Sequence, residues 1–148
     1  MNRLTDYTIL PELNLILTVY SGEIIIQDFV NLTRRFIKDE QYKSEFHVLV
    51  DISQTNGIAF RLDVLDYVDF IRKNVSLKQK VKVGILIRGL NQEFLMKFYR
   101  TFGGLINMEI NYFKEKEDYY RWMGWNEEEI TQVDIALTQL RSEGLHSN

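Results

Sequence analysis

The alternation of apolar and polar positions predicts strands near the start of the chain and then a helix. Residues 8–10 and 15–20 are β-rich runs that flank a polar segment containing Pro11, a pattern that predicts a hairpin. Ser21 and Gly22 are expected to end the second strand. Beyond them the apolar residues recur at spacings of four, three and four, which is typical of one face of an amphipathic helix: Ile25, Phe29, Leu32 and Phe36.

The rest of the chain repeats the strand–helix order. Residues 46–52 form a nearly continuous apolar run, as expected for a strand covered on both faces, and residues 81–87 are predicted to form another covered strand. Residues 108–113 are predicted to form the last strand. Helices are predicted over residues 62–75 and 115–122, and a further helix is predicted to begin at Asn91 and carry Phe94, Phe98 and Phe102. The predicted order is β-β-α-β-α-β-α-β-α, an α/β fold with a mainly parallel mixed sheet and helices packed on it. The first strand is expected at an antiparallel edge.

An extra C-terminal helix is predicted over about residues 126–141. Asn126 can cap it, and the three glutamates that follow complement the helix dipole. Its apolar residues span two heptads, and an isolated helix of that length is marginal in water, so the stripe must rest on its own domain or on a partner. Because Tyr and Trp are over-used at interfaces, we expect an interface with a second copy or another protein at Tyr119, Trp122, Trp125, Ile130, Val133, Leu137 and Leu140.

Composition narrows the class of protein. The 148 residues fit a single domain over residues 1–148, with its core at about 5–125, and a hydrophobic content of 45% excludes a disordered chain. A net charge of −3 argues against nucleic-acid binding, and no apolar run reaches the length of a membrane span. With no cysteine, disulfides and thiolate sites are excluded. We expect a cytoplasmic protein with no membrane or nucleic-acid partner.

Groups that could carry catalysis are scarce. The two histidines, His47 and His146, have no second imidazole or thiolate at ligand spacing, so no metal site is expected. Motifs for a serine nucleophile, a phosphate loop or a dinucleotide site are missing. We therefore expect no cofactor and no enzymatic activity, and an enzyme that uses Asp51, Glu23 or His47 is the least favoured class.

A polar segment over residues 53–57 is predicted to form a turn after the third strand. Ligands and modifications gather beyond the carboxyl ends of parallel strands, so Asp51, Asn56 and Gly57 are candidates for a turn or ligand loop. Ser53 and Thr55 are candidate phospho-acceptors. Asp51 could instead accept a phosphoryl group, as in receiver domains, or accept backbone N–H bonds in an Asx-type turn.

Several stretches together resemble the small SpoIIAA-like proteins of the STAS group, which includes anti-sigma-factor antagonists. These stretches are residues 20–24 (YSGEI), 47–52 (HVLVDI), 82–87 (KVGILI) and 113–123 (FKEKEDYYRWM), with Tyr42 between the first two. The resemblance covers about residues 5–125 and implies a SpoIIAA-like superhelix without enzymatic activity. The antagonists carry a phosphorylatable serine in a D-S-S-G-type turn, whereas residues 53–57 read SQTNG here.

The leading functional prediction is a non-enzymatic binding or regulatory module that acts through contacts with an unidentified protein or a second copy of itself. The alternative, from another class, is a module of the same fold that binds a small molecule or lipid, enclosed beside Tyr112 and Trp122. A phospho-accepting, receiver-like domain is less favoured than either.

Overall fold

The computed structural model describes residues 4–59, 63–75, 80–89, 92, 100 and 107–146. The predicted helix that would begin at Asn91 and carry Phe94, Phe98 and Phe102 lies outside these residues. The elements, in chain order, are β1 Leu4–Leu10, a 3-10 turn Pro11–Leu13, β2 Leu15–Ile25, α1 Ile26–Ile37, β3 His47–Ala59, α2 Asp63–Asn74, β4 Val81–Leu86, β5 Met108–Phe113, α3 Lys116–Met123 and α4 Glu127–His146.

The five strands lie side by side in the order in which the chain makes them. Strands β1 and β2 form the predicted antiparallel hairpin, with Leu10 opposite Leu15. Between them Asn14 adopts the left-handed conformation (φ 52°), which an asparagine tolerates better than most residues. Strands β2, β3, β4 and β5 are parallel to one another. The predicted α/β class, the mixed sheet and the antiparallel edge strand are confirmed.

Two predicted breaks in the strands are wrong. Strand β2 continues through Ser21 and Gly22, and strand β3 continues through the segment 53–57 that was expected to be a turn. The two extensions pair with each other, with Ser21 opposite Gln54 and Glu23 opposite Gly57, across two irregularities in the register. Gly22 has a φ of 80°, which only a glycine adopts readily, so the strand passes this point without ending. Pairing between the two extensions keeps both polar segments in the sheet.

Alternation along the strands divides the core into two layers. Val83 and Ile85 of β4 point toward one layer, to which α1 and α2 contribute Phe29 and Ile71. Leu86 points the other way, into a layer that contains residues of α3 and α4. A third, smaller cluster lies between β1, β2 and the end of α1: Ile9, Ile16, Phe36 and Phe46. Helices therefore cover both faces of the sheet.

Helix α4 packs on its own domain. Asn126 caps it as predicted, because the Asn126 Oδ1 accepts the Glu129 N–H at 2.8 Å and the Glu129 carboxylate accepts the Asn126 N–H at 2.9 Å. Four of the seven predicted interface residues are buried against the sheet: Tyr119, Val133, Leu137 and Leu140. The other three are partly buried against the same cluster: Trp122, Trp125 and Ile130. The predicted interface is thus wrong for the buried four, since the two-heptad stripe is covered by the sheet.

Candidate functional site

An apolar cavity of about 70 Å³ lies between the sheet and helices α1 and α2. Strand residues form its floor: Thr18, Tyr20, Val48, Val50, Ile52, Val81, Val83, Ile85 and Met108. Helix and loop residues form the rest of the wall: Ile26, Phe29, Thr33, Phe36, Tyr42, Ser44, Phe46, Tyr67, Ile71 and Val75. Because a single buried water needs only about 10–15 Å³, this space exceeds the requirement of one water several times over.

The side chains on the strand face of the cavity include many small ones, whereas the helices contribute bulky rings. Many positions on this face of β3 and β4 are valines, such as Val48, Val50 and Val83, whose side chains fill less space than leucine. The walls are aromatic, because Phe29 packs on Tyr20 at 4.5 Å and on Tyr67 at 5.7 Å between ring centroids. Rings of this size hold α1 and α2 away from the short valines and leave a gap that no described side chain fills.

The polar groups of the cavity are hydroxyls. Thr18 Oγ1 donates to the carbonyl oxygen of Leu49 at 2.8 Å, and the hydroxyls of Thr33 and Tyr67 lie 3.2 Å apart, joining α1 to α2. Burial raises the pKa of Tyr20 well above its ordinary value. Burial also raises the pKa of Tyr42, and the nearby Glu45 carboxylate adds to the effect. Both phenols therefore stay uncharged, and the cavity is suited to binding an uncharged molecule.

A second group of polar residues surrounds the middle of β3, at the place where a turn was predicted from the sequence. Asp51 is fully buried, and its Oδ1 accepts the backbone N–H of Ser53 at 3.0 Å and the Ser53 hydroxyl at 2.6 Å. Its Oδ2 accepts a hydrogen bond from Arg141 Nε of α4 at 2.6 Å. The bond from the Ser53 N–H is the Asx-type contact considered for Asp51, but the main partner is a helix 90 residues away. These contacts tie α4 to the sheet.

Thr55 lies in a neighbouring network. Its hydroxyl donates to the carbonyl oxygen of Ile52 at 2.7 Å and accepts from Gln92 Nε2 at 2.6 Å. Gln92 also accepts the backbone N–H of Arg88, whose guanidinium donates to the carbonyl oxygen of Thr55 at 3.1 Å. Only 1% of Thr55 is exposed, so its hydroxyl is out of reach of a kinase in this conformation, and its role as a phospho-acceptor stays a prediction.

The remaining predicted residues of this segment do not form a loop. Asn56 is exposed on β3, and Gly57 lies in the same strand opposite Glu23. Ser53 is half-buried and its hydroxyl is bonded to Asp51, so its modification stays a prediction. Asp51, Asn56 and Gly57 were expected in a turn or ligand loop, and that turn is wrong because the segment is strand.

His47, another candidate from the sequence, is hydrogen-bonded to the neighbouring strand. His47 Nδ1 accepts the Lys82 N–H at 2.9 Å, and burial, followed by the nearby Lys82 charge, lowers the pKa of His47.

Tyr112 packs on the α1–α2 layer, whereas Trp122 packs on the α3–α4 layer. A ligand site beside both Tyr112 and Trp122 is therefore wrong, because they lie on opposite faces. Among the residues that the structure describes, no three His, Asp or Glu side chains are grouped so as to hold a metal ion.

Sequence reasoning missed the cavity, the Asp51–Arg141 pair and the buried Gln92. A signal for the pair was present, because Arg141 follows Leu137 by four residues and so continues the apolar stripe of α4 with a charge. A cation at such a position is placed to pair with a carboxylate of the sheet that the helix covers. No comparable pattern marks the cavity.

Comparison with known proteins identifies the fold. Neither the models of protein families nor the curated proteins give a match. A solved structure does: an uncharacterised protein of the DUF3478 family from Shewanella loihica PV-4, described as having a SpoIIAA-like fold. The TM-score is 0.52 at 16% identity, over 82% of this chain and 94% of that one. The chain has a SpoIIAA-like fold.

The resemblance inferred from the sequence is thereby confirmed at the level of fold, and at 16% identity the SpoIIAA-like match carries no function with it. Among the helices in the described ranges, none combines the length and the apolar character that a membrane span requires.

Proposed function

We propose that this SpoIIAA-like chain is a binding module, not an enzyme, and that it holds a small apolar molecule in the cavity between the sheet and helices α1 and α2. The observation that carries the proposal is the cavity itself, about 70 Å³ lined by aliphatic and aromatic side chains. Protein interiors are close-packed and contain few voids larger than a water molecule. An apolar ligand gains contacts with the aliphatic and aromatic side chains of such a wall.

Energetics support occupancy by a ligand. An empty apolar cavity of this volume destabilises a fold by roughly 2 kcal/mol, from about 24 cal/mol per Å³. An apolar molecule that fills it recovers dispersion contacts and also removes its own surface from water. The fold thus gains stability from the ligand, which is the behaviour of a carrier or sensor of small molecules.

The protein-contact role expected from the sequence stays a prediction. Most of the surface proposed for it is buried within the chain, and the exposed large apolar residues named for the described part, Ile25 and Ile135, lie on different elements. Scattered single apolar residues are normal on a protein surface. The cavity is therefore the stronger basis for a function.

Thermal-shift measurements with small neutral compounds that suit the volume of the cavity, cyclopropane and 1-propanol, test the proposal. We expect each compound at 100 times its dissociation constant to stabilise the protein by about 2.7 kcal/mol. Val83→Leu, which fills the cavity from its floor, should weaken this stabilisation. Val19→Leu makes the same change in the opposite layer, where Val19 is 1% exposed, and serves as the matched control. Equal binding by the two variants, or no binding by the wild type, would overturn the proposal.

A further inference from the structure

The wall of the cavity carries no formal charge among its described residues. Its polar members are hydroxyl-bearing side chains only: Thr18, Tyr20, Thr33, Tyr42, Ser44 and Tyr67. An ion that enters an apolar site without a partner loses several kcal/mol of hydration. A bound carboxylate or ammonium group would find no described side chain of opposite charge on this wall.

The cations nearest in sequence to Thr33 are engaged outside the cavity. Arg34 and Arg35 follow Thr33 on α1, and both are exposed. The Arg34 guanidinium lies over the ring of Phe70 at 5.1 Å, and Arg35 pairs with Asp6 at 3.2 Å. Neither arginine lines the cavity, so neither is placed to receive an anionic head group there.

A hydroxyl pair supplies a polar anchor instead. Thr33 is 2% exposed, and its Oγ1 lies 3.2 Å from the Tyr67 hydroxyl oxygen, across the contact between α1 and α2. A hydroxyl group rotates to donate or to accept, and its oxygen offers two lone pairs. A pair of this kind can share a hydrogen bond with a hydroxyl or carbonyl group of a ligand without requiring a charge.

We infer that the ligand is an uncharged apolar molecule with one hydroxyl or carbonyl group, held at Thr33 and Tyr67, and that the matching carboxylate or ammonium compound is rejected. This inference rests on the proposed function, because it names the chemical class of molecule that the same cavity takes. Neutral alcohols, ketones and esters are therefore expected to bind, and fatty acids and amines of equal length are not.

Binding of three compounds with the same three-carbon chain, measured by thermal shift at pH 7.5, tests the inference. We expect 1-propanol to stabilise the protein, and propanoate and propylamine to need at least roughly tenfold higher concentrations for the same shift, which corresponds to about 1.4 kcal/mol. Propanoate should bind better as the pH is lowered and its carboxyl group takes up a proton. Propanoate or propylamine binding as well as 1-propanol would overturn the inference and leave the proposed function standing.

Variants of the anchor give a second readout. Thr33→Val keeps the shape of the side chain and removes the hydroxyl, and Tyr67→Phe does the same on α2. Each should reduce the advantage of 1-propanol over cyclopropane by severalfold, whereas Thr131→Val, on the exposed side of α4, should leave that ratio unchanged. An unchanged ratio in both anchor variants would overturn the role of the hydroxyl pair. Failure of every compound, cyclopropane included, to stabilise the protein would count against the proposed function itself.

Discussion

Gly84 allows the ring of Tyr119 to lie directly on strand β4. A Cβ atom built at residue 84 would lie 2.2 Å from Tyr119 Cε1 and 2.4 Å from Cδ1. Carbon atoms in ordinary contact are about 3.5–4.0 Å apart. Alanine at this position therefore requires the ring or the strand to move by more than about 1 Å. The perturbation is a single methyl group, placed where α3 meets the sheet.

The side chain of Tyr119 has little space into which it could move. Tyr119 is fully buried, with Trp125 at 5.4 Å and Phe113 at 5.8 Å between ring centroids. Extra methyl groups in packed cores destabilise by about 1–3 kcal/mol, and this overlap belongs at the upper end. Replacing glycine by alanine also stiffens the unfolded chain, which offsets about 0.4–1 kcal/mol. We expect Gly84→Ala to lower the free energy of unfolding by about 2 kcal/mol.

Urea denaturation followed by tryptophan fluorescence measures this loss, and a double-mutant cycle assigns its cause. In a Tyr119→Leu background the clash is removed, so Gly84→Ala should then destabilise by less than about 1 kcal/mol. Gly89→Ala is the control, because Gly89 has a φ of 104° and open space around it, so its strain comes from the backbone. The Gly89→Ala loss should be equal in both backgrounds. An equal Gly84→Ala loss in both backgrounds would refute the steric explanation.

Three further predictions concern buried polar groups. Tyr119→Phe should raise stability by about 1 kcal/mol, because the Tyr119 hydroxyl is buried with no hydrogen-bond partner in the described structure. Arg141→Met should lower stability by about 3 kcal/mol, since it leaves the buried Asp51 carboxylate uncompensated while Arg141 itself is 30% exposed. Stability should decrease as the pH falls below 6.5, the ordinary pKa of histidine, because the unfolded chain then binds a proton that folded His47, with its lowered pKa, does not.

Each of these has a matched control in the chain. Tyr120→Phe should destabilise, in contrast to the change at Tyr119, because the Tyr120 hydroxyl donates to Asp134 at 2.7 Å. Lys73→Met breaks an exposed ion pair and should change stability by less than about 1 kcal/mol. His47→Asn keeps an acceptor for the Lys82 N–H and should flatten the pH dependence between neutral and the lowered pKa of His47. The first explanation would be contradicted if Tyr119→Phe destabilised the protein as Tyr120→Phe does. The second would be contradicted if Arg141→Met cost no more stability than Lys73→Met. The third would be contradicted if His47→Asn left the dependence of stability on pH unchanged.

The sheet and its helices could be predicted because apolar periodicity is a local property of the chain. Residues 46–52 and 81–87 read as covered strands, and the structure places them in the centre of a parallel sheet. The predictions of secondary structure failed where polar residues suggested that a strand ends. Ser21 and Gly22 lie in a strand because a partner extension satisfies their backbone, and Thr55 is buried because Gln92 reaches its hydroxyl. Both causes lie far away in the sequence.

The cavity could not be predicted for a different reason. The pattern that predicts α1 records which of its residues face the core, and that pattern is the same whether the core is filled or hollow. The gap depends on the difference between summed side-chain volumes from α1, α2 and four strands, and it amounts to a few methylene groups. Exchanging Val83 for leucine changes that difference while leaving the apolar pattern intact. Two sequences with identical patterns can therefore share this fold and differ in whether they bind a ligand.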